Sequence, residues 1–253
     1  MKLRGYLTLG VIGAALVVGD PIQRTLVAGL ARLFPSRRDA ILTAWIRMYA
    51  RIMLGLARIV GGARIQDPPS IPGGPGVLVL MNHQSVLDIP LVVQSVTPLH
   101  PRIVTRERYG RGKPLISHMV RLYQYPQVEP RATVRGHLKT IAEAVRESPV
   151  PIALYPEGTR TRDGSLGAFR ELGLRAILGA RQWTVYLLVN DGFWRAAHLP
   201  DFVANVSSVV SRSAVLGPFQ APAPGTDPGP FIQEMHGQME GALASLRPSV
   251  PGK

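Results

Sequence analysis

Val77-Leu78-Val79-Leu80-Met81-Asn82-His83-Gln84-Ser85-Val86-Leu87-Asp88 is an apolar run that passes directly into a histidine and an acid five residues apart. The run is too uniformly apolar for a strand buried on one face only, so it predicts a strand covered on both faces. Arg102–Thr105, Ile152–Tyr155 and Thr184–Val189 read the same way. Between them lie helical patterns. Thr133–Ser148 carries Val134, Leu138, Ile141, Ala142 and Val145 at helical spacing, and Ala168–Ala180 carries Leu172, Ala176 and Ile177. This alternation predicts an α/β fold with a largely parallel central sheet flanked by helices. A more polar strand pair is expected near Phe202–Val210 and Ala214–Leu216. Gly217–Pro230, with five prolines and three glycines, is expected to be a loop. An amphipathic helix, Phe231–Leu246, closes the pattern.

Upstream, the chain changes character. Residues 1–65 hold ten basic residues and two acids, a net of +8, out of +13 for all 253 residues. A basic excess points to a polyanionic partner. Here the basic segment is also the most apolar, which favours an anionic membrane surface over nucleic acid. Aromatics are only 6%, and the cations are interleaved with aliphatic residues, so no nucleic acid is expected. Gly5 to Gly19 is uncharged. At ~1.5 Å per residue it reaches about 23 Å, short of a ~30 Å hydrocarbon core, and Asp20-Pro21 then interrupts it. A signal peptide, a spanning helix and an embedded, non-spanning helix compete, and the length favours the last. In Ser36–Gly62, Arg47, Arg51 and Arg58 fall within a ~40° sector at 100° per residue, with an apolar remainder. That pattern predicts an interfacial helix whose guanidinium groups stay with lipid phosphates; a domain helix with one solvated face is the plainer alternative. Gln66–Gly76, QDPPSIPGGPG, is a proline- and glycine-rich break. The expected division is a membrane-associated helical segment over 1–65, a linker over 66–76 and an α/β domain over 77–253.

With no cysteine, disulfides, thiolate metal sites and a cysteine nucleophile are excluded, and a reducing compartment fits. No metal site and no cofactor is expected. On one continuous helix His83 and Asp88 would diverge by ~140°. They meet if His83 sits in the turn leaving the strand and Asp88 in the first turn of the next helix, where Pro90 is tolerated. Asp88 then accepts one imidazole N–H and the other ring nitrogen is free to take a proton. On spacing alone, a satisfied structural histidine explains the pair equally well. A second cluster, Tyr155-Pro156-Glu157-Gly158-Thr159-Arg160, leaves another strand at the same sheet edge, where α/β sites gather. Gly158 lets backbone N–H groups approach an anion, and Arg160 can hold phosphate in a bidentate fork. Glu157 would orient that arginine or a substrate hydroxyl, and Arg131 adds a second phosphate contact.

Together these residues resemble the glycerolipid acyltransferase family, whose type member is 1-acylglycerol-3-phosphate acyltransferase. Asn82-His83-x4-Asp88 is similar to its first block and Pro156-Glu157-Gly158-Thr159-Arg160 to its third. Val128-Glu129-Pro130-Arg131 is similar to the second, and Phe169-Arg170-Glu171-Leu172-Gly173 to the stretch after the third. The fourth block's proline is missing from Thr184–Gly192, and Pro130 interrupts the second. The resemblance covers roughly residues 75–195. It implies His83 as general base, Asp88 as its orienting partner, and Arg131, Glu157, Gly158, Thr159 and Arg160 as acceptor-binding residues. It implies acyl transfer from acyl-CoA or acyl-carrier protein to the hydroxyl of a lysophospholipid, most simply 1-acylglycerol-3-phosphate, at the cytoplasmic face of a membrane. Another lysolipid or glycolipid acceptor, or a non-catalytic lipid-binding protein of the same fold, is the alternative.

Overall fold

The computed structural model describes residues 2–128 and 134–247, the side chains of 134–137 excepted. Ten strands and nine α-helices follow one another among these residues. They are α1 (Lys2–Ile22), α2 (Ala28–Leu33), α3 (Arg38–Ile59), β1 (Arg64–Ile65), β2 (Ile71–Pro72), β3 (Val77–Met81) and α4 (Asp88–Ser95). Then come β4 (Val96–Thr97), β5 (Arg102–Ile103), β6 (Thr105–Arg106), α5 (Ile116–Leu122), β7 (Gln127–Val128), α6 (Val134–Arg146) and β8 (Ile152–Leu154). The series ends with α7 (Glu171–Leu178), β9 (Thr184–Asp191), α8 (Leu199–Asn205), β10 (Val210–Gln220) and α9 (Gly229–Leu246).

The central sheet runs β1-β10-β9-β3-β8-β5. Within it β9, β3, β8 and β5 are mutually parallel, and β10 is antiparallel to β9. Helices cover both faces, as a sheet of uniformly apolar strands requires. Successive side chains of β3 alternate between the two faces. Val79 and Met81 enter the core shared with α1, α3 and α4. Leu78 and Leu80 enter the core shared with α6, α7 and α9. Leu78 to Met81 are wholly buried, so β3 is the central spine.

Three sequence expectations need correction. Phe202–Val210 is not a strand: α8 and a 3-10 turn, Val206–Ser208, occupy it. Asp201 accepts the His198 N–H at 3.2 Å, which starts a helix, and Phe202, Val203 and Val206 then share one buried face. Gly217–Pro230 is not all loop, because β10 continues to Gln220 through a register shift between Leu216 and Phe219. Asp20-Pro21 does not stop α1 either. A π-helical turn, Gln23–Val27, absorbs the N–H that Pro21 lacks, and the helix runs on into α2. The linker also holds β2, which pairs with β4, and β1 joins the main sheet beside β10.

Two helical stretches, Lys2–Leu33 and Pro35–Ile59, are long and apolar enough to cross a membrane. One side of each is packed on the sheet domain. At Gly5 an added Cβ would fall 2.1 Å from the Val203 carbonyl oxygen, and at Gly19 it would fall 1.7 Å from the Tyr49 hydroxyl. That hydroxyl donates to the Ala15 carbonyl at 3.1 Å. The arginine stripe of α3 departs in part from the sequence expectation: Arg51 is exposed, but Arg47 and Arg58 bond to backbone carbonyls of the protein. Arg47 donates to the Val96 carbonyl at the C-terminus of α4, and Arg38 to the Leu122 carbonyl at the C-terminus of α5. Arg58 donates to the Ile65 carbonyl at 2.9 Å and pairs with Asp67. Cations at helix C-termini are favoured by the helix dipole, so Arg38 and Arg47 dock α3 rather than anchor it to lipid. Among these arginines Arg51 faces outward, and the exposed apolar residues of α3 are Met48, Ile52 and Ile59.

The close packing of α1 on α3 predicts that Gly19→Leu lowers the unfolding free energy by about 1–3 kcal/mol, the usual cost of overpacking. Denaturant unfolding followed by tryptophan fluorescence measures it. An unchanged midpoint would show that α1 is not part of the folded core.

Candidate active site

The site forms where β3 and β8 end. Asn82, the residue after β3, bridges to the end of β9 through both amide atoms. Its Nδ2 donates to the Asn190 carbonyl at 2.8 Å, and its Oδ1 accepts the Asn190 N–H at 2.9 Å. This pair sets where the chain leaves the sheet. His83 then turns out of the strand, and Asp88 opens α4. His83 Nδ1 lies 2.8 Å from Asp88 Oδ2. The same carboxyl oxygen accepts the N–H groups of Gln84 and Ser85, each at 2.7 Å. With these backbone donors on it, Asp88 acts as an acceptor, so Nδ1 carries the imidazole proton and Nε2 is left with its lone pair. Asp88 is wholly buried, whereas 15% of the His83 side chain is exposed.

Tyr155, which follows β8, stacks on the imidazole with ring centroids 4.2 Å apart. The ring limits how far the imidazole can tilt. Burial, with Asp88 adding to it, pushes the Tyr155 hydroxyl well above the usual phenol range, so it stays protonated.

Glu157 is the tie between the two loops. Its Oε1 accepts the His83 N–H at 2.7 Å and its Oε2 accepts the Gly167 N–H at 2.7 Å. The His83 carbonyl in turn accepts the Thr161 N–H at 3.1 Å. The Glu157–Arg160 loop therefore holds His83 by both of its backbone groups. Glu157 makes no hydrogen bond to Arg160, the partner that the sequence offered for it. Both its oxygens are committed to backbone donors, and Arg160 NH1 donates to the Ala197 carbonyl at 2.9 Å. Only 2% of Glu157 is exposed. Burial raises its pKa to about 7, against the opposing pull of the two N–H groups. Gly158 takes φ +67°, and an added Cβ would strike the Arg170 side chain. A left-handed turn here lets the chain double back under Arg170, whose Nε donates to the Glu157 carbonyl.

One cavity of about 340 Å³ opens beside His83. Gly158, Thr159, Arg160, Arg106, Arg108 and His198 line its polar part, and Val86, Ile103, Ile116, Met119 and Val120 are among its apolar lining. Of the residues singled out in the sequence, His83, Gly158, Thr159 and Arg160 come together at this cavity, with Asp88 and Glu157 behind His83. Arg131 lies outside the described residues. Among the described residues no group of three or more His, Asp or Glu side chains is placed to hold a metal ion.

Sequence reasoning missed Arg106, Arg108 and His198. Arg106 is the last residue of β6, and its NH2 donates to the Gly158 carbonyl at 2.9 Å. The signal was present in Arg106-Glu107-Arg108-Tyr109-Gly110-Arg111, a basic string at the end of a parallel strand. Nothing local marks His198, which is delivered by the long excursion between β9 and β10.

Such a site can take a proton from a hydroxyl at Nε2, beside guanidinium groups able to hold an anion and an apolar space able to hold a chain. A family model described as acyltransferase matches residues 62–186. No curated protein sequence matches the chain. Among solved structures, the chain is similar to the 1-acyl-sn-glycerophosphate (LPA) acyltransferase PlsC from Thermotoga maritima. That match has a TM-score of 0.69 at 17% sequence identity, covering 98% of this chain and 96% of the other, and so shows the fold. The family match spans the strand ends and loops that carry His83, Asp88 and the Glu157–Arg160 turn, and by it the chain belongs to the acyltransferase family.

Proposed function

We propose that this acyltransferase moves a fatty acyl group from a thioester, acyl-CoA or acyl-carrier protein, to the hydroxyl of a lysophospholipid, with 1-acylglycerol-3-phosphate as acceptor and phosphatidic acid as product. The observation that carries this reading is the His83–Asp88 pair opening on a cavity that is cationic on one side and apolar on the other. Arg160, with Arg106 beside it, offers the acceptor phosphate a bidentate donor. The apolar lining takes acyl chain. His83 Nε2 removes the acceptor hydroxyl proton as that oxygen attacks the thioester carbonyl. The C–S bond then breaks, and the imidazolium returns its proton to the departing thiolate. Asp88 keeps the imidazole in the productive tautomer throughout. Glu157 touches no substrate in this scheme; it holds His83 in place. Arg131 would add a second phosphate contact.

The N-terminal segment fits a membrane surface. In this reading residues 1–65 are the membrane-facing unit, 66–76 the linker and 77–253 the catalytic domain, with the site on the cytoplasmic side. Leu3, Tyr6, Leu7, Val11, Val17, Val18, Ile22 and Leu26 are exposed along the first helical stretch, and Met48, Ile52 and Ile59 along α3. So many large apolar side chains open to solvent on one part of a protein mark a surface meant for another apolar phase. Placed in a leaflet, they hold the cavity where lysolipid and product reside.

His83→Ala should lower kcat by about 10²–10⁴-fold on whichever lyso-acceptor is turned over, as loss of a general base does. Labelled acyl-CoA and acyl-carrier protein, each offered with a panel of lysolipids, measure it. Undiminished turnover in the variant would sink the mechanism, and no turnover by the wild type on any acceptor would leave a lipid-binding protein of the same fold.

Glu157 gives a pH test. Its folded-state pKa of about 7 lies above that of an unfolded glutamate, so the folded state holds the proton more tightly. The stability it contributes is complete below the unfolded value, about pH 4.3, and is lost as pH rises toward 7. Thermal unfolding should show this decline in wild type and a flatter profile in Glu157→Gln. Parallel profiles would mean that burial does not raise this carboxyl.

Val18→Asp combined with Leu26→Asp should sharply reduce co-sedimentation with phospholipid vesicles while leaving the circular dichroism spectrum unchanged. Full retention on vesicles would place the membrane surface elsewhere.

A further inference from the structure

The π-helical turn after α1, Gln23-Arg24-Thr25-Leu26-Val27, carries a fully buried glutamine. Gln23 Nε2 donates to the Leu115 carbonyl at 3.1 Å and lies 3.1 Å from His118 Nδ1. Its Oε1 accepts the Trp45 indole N–H at 2.9 Å. One turn earlier, Asp20 Oδ1 accepts the Leu115 N–H at 2.8 Å, while its other oxygen takes Arg24. Both backbone groups of Leu115 are thus gripped by side chains from one helix. Leu115 itself has φ +58°, a region that a branched non-glycine residue adopts only when its surroundings compel it. It immediately precedes α5, whose Ile116, Met119 and Val120 line the cavity beside His83.

The same turns of helix face outward as well. Val17, Val18, Ile22 and Leu26 are between 38% and 62% exposed. One helical segment therefore presents an apolar surface on one side and, on the other, the polar groups that hold the cavity wall. Gln23 Nε2 and Oε1 both have partners, so the cost of burying the amide is offset by bonds that tie this helix to Leu115 and to α3. π-turns of this kind gather at functional positions.

We propose that Asp20 and Gln23 are positioning residues for the acyl cavity: through Leu115 they make α1 a lever that sets α5, and contact of the outer face of α1 with lipid orders the cavity wall. The proposal rests on the reading above that the cavity takes an acyl chain and that α1 meets lipid. It differs from a simple anchor, because an anchor needs apolar residues only on its outer face and no hydrogen bonds to the cavity wall.

The test uses the full chain, alone and with vesicles of phosphatidylethanolamine and phosphatidylglycerol. Amide hydrogen exchange over residues 116–122 is expected to slow by roughly tenfold in wild type when vesicles are added, as for a locally opened helix that becomes ordered. Gln23→Leu and Asp20→Ala should lose that protection while still sedimenting with vesicles, and Asp20→Asn, which keeps an acceptor oxygen for the Leu115 N–H, should retain it. With a water-soluble short-chain acyl-CoA, the first two variants should raise the donor KM by roughly fivefold with kcat little changed, the pattern of lost binding rather than lost chemistry. Exchange over 116–122 that ignores vesicles in wild type overturns the proposal. So does Asp20→Ala that matches wild type in both exchange and KM, and this holds even if Gln23→Leu fails to fold. Absence of turnover on any acceptor would instead overturn the acyltransferase reading, while the exchange data would still decide the lever.

Discussion

The buried carboxyl of Glu157 joins the two loops on which the site depends. Its two oxygens take N–H groups from His83, in the turn after β3, and from Gly167, in the long loop after β8. With the Thr161 N–H on the His83 carbonyl, that bridge ties together two loops at neighbouring strand ends. With it, His83 has its backbone held from one side and its imidazole held from the other by Asp88, and the ring is stacked on Tyr155. Three contacts, one from α4 and two from the turn after β8, leave the imidazole little freedom, which is the condition for a base to act on a substrate placed by other groups.

Holding a carboxyl in such a place has a cost, visible in the upward shift of its pKa. Burial penalises the ionised form more than two backbone hydrogen bonds reward it. One oxygen of Asp88 gathers three donors, His83 Nδ1 and two backbone N–H groups. The two acids therefore do different work. Asp88 sets the tautomer of the base, and Glu157 sets its position.

The N-terminal helices are bound to this arrangement more closely than a detachable anchor requires. The core on one face of the sheet runs without interruption from Ile12 and Val27 through α3 and α4 to Met81 and Val209. Arginines on the inner side of α3 cap α4 and α5, and polar residues of the first helical stretch hold Leu115. The apolar residues left outside are those with no partner in the protein. The inner side of these helices carries apolar core residues together with the polar groups of Asp20, Gln23 and Arg47, while large apolar side chains are left on the outer side.

The sequence by itself determined the strands at Val77–Met81, Ile152–Tyr155 and Thr184–Val189, the parallel α/β class, and the meeting of His83 with Asp88. These follow from short-range rules: uniform apolarity marks a doubly covered strand, and a strand–turn–helix path closes a five-residue spacing. Only the tertiary structure decided the partners of Glu157, the inward turn of Arg47 and Arg58, the helix over Leu199–Asn205 and the arrival of Arg106 and His198 at the cavity. A helix's periodicity shows that one side differs from the other, but not which side meets protein and which meets lipid. A carboxylate's spacing shows what it can reach along the chain, but not which backbone N–H groups will arrive from 74 residues away to occupy it. Those choices come from long-range packing, where burial drives most polar atoms to a partner.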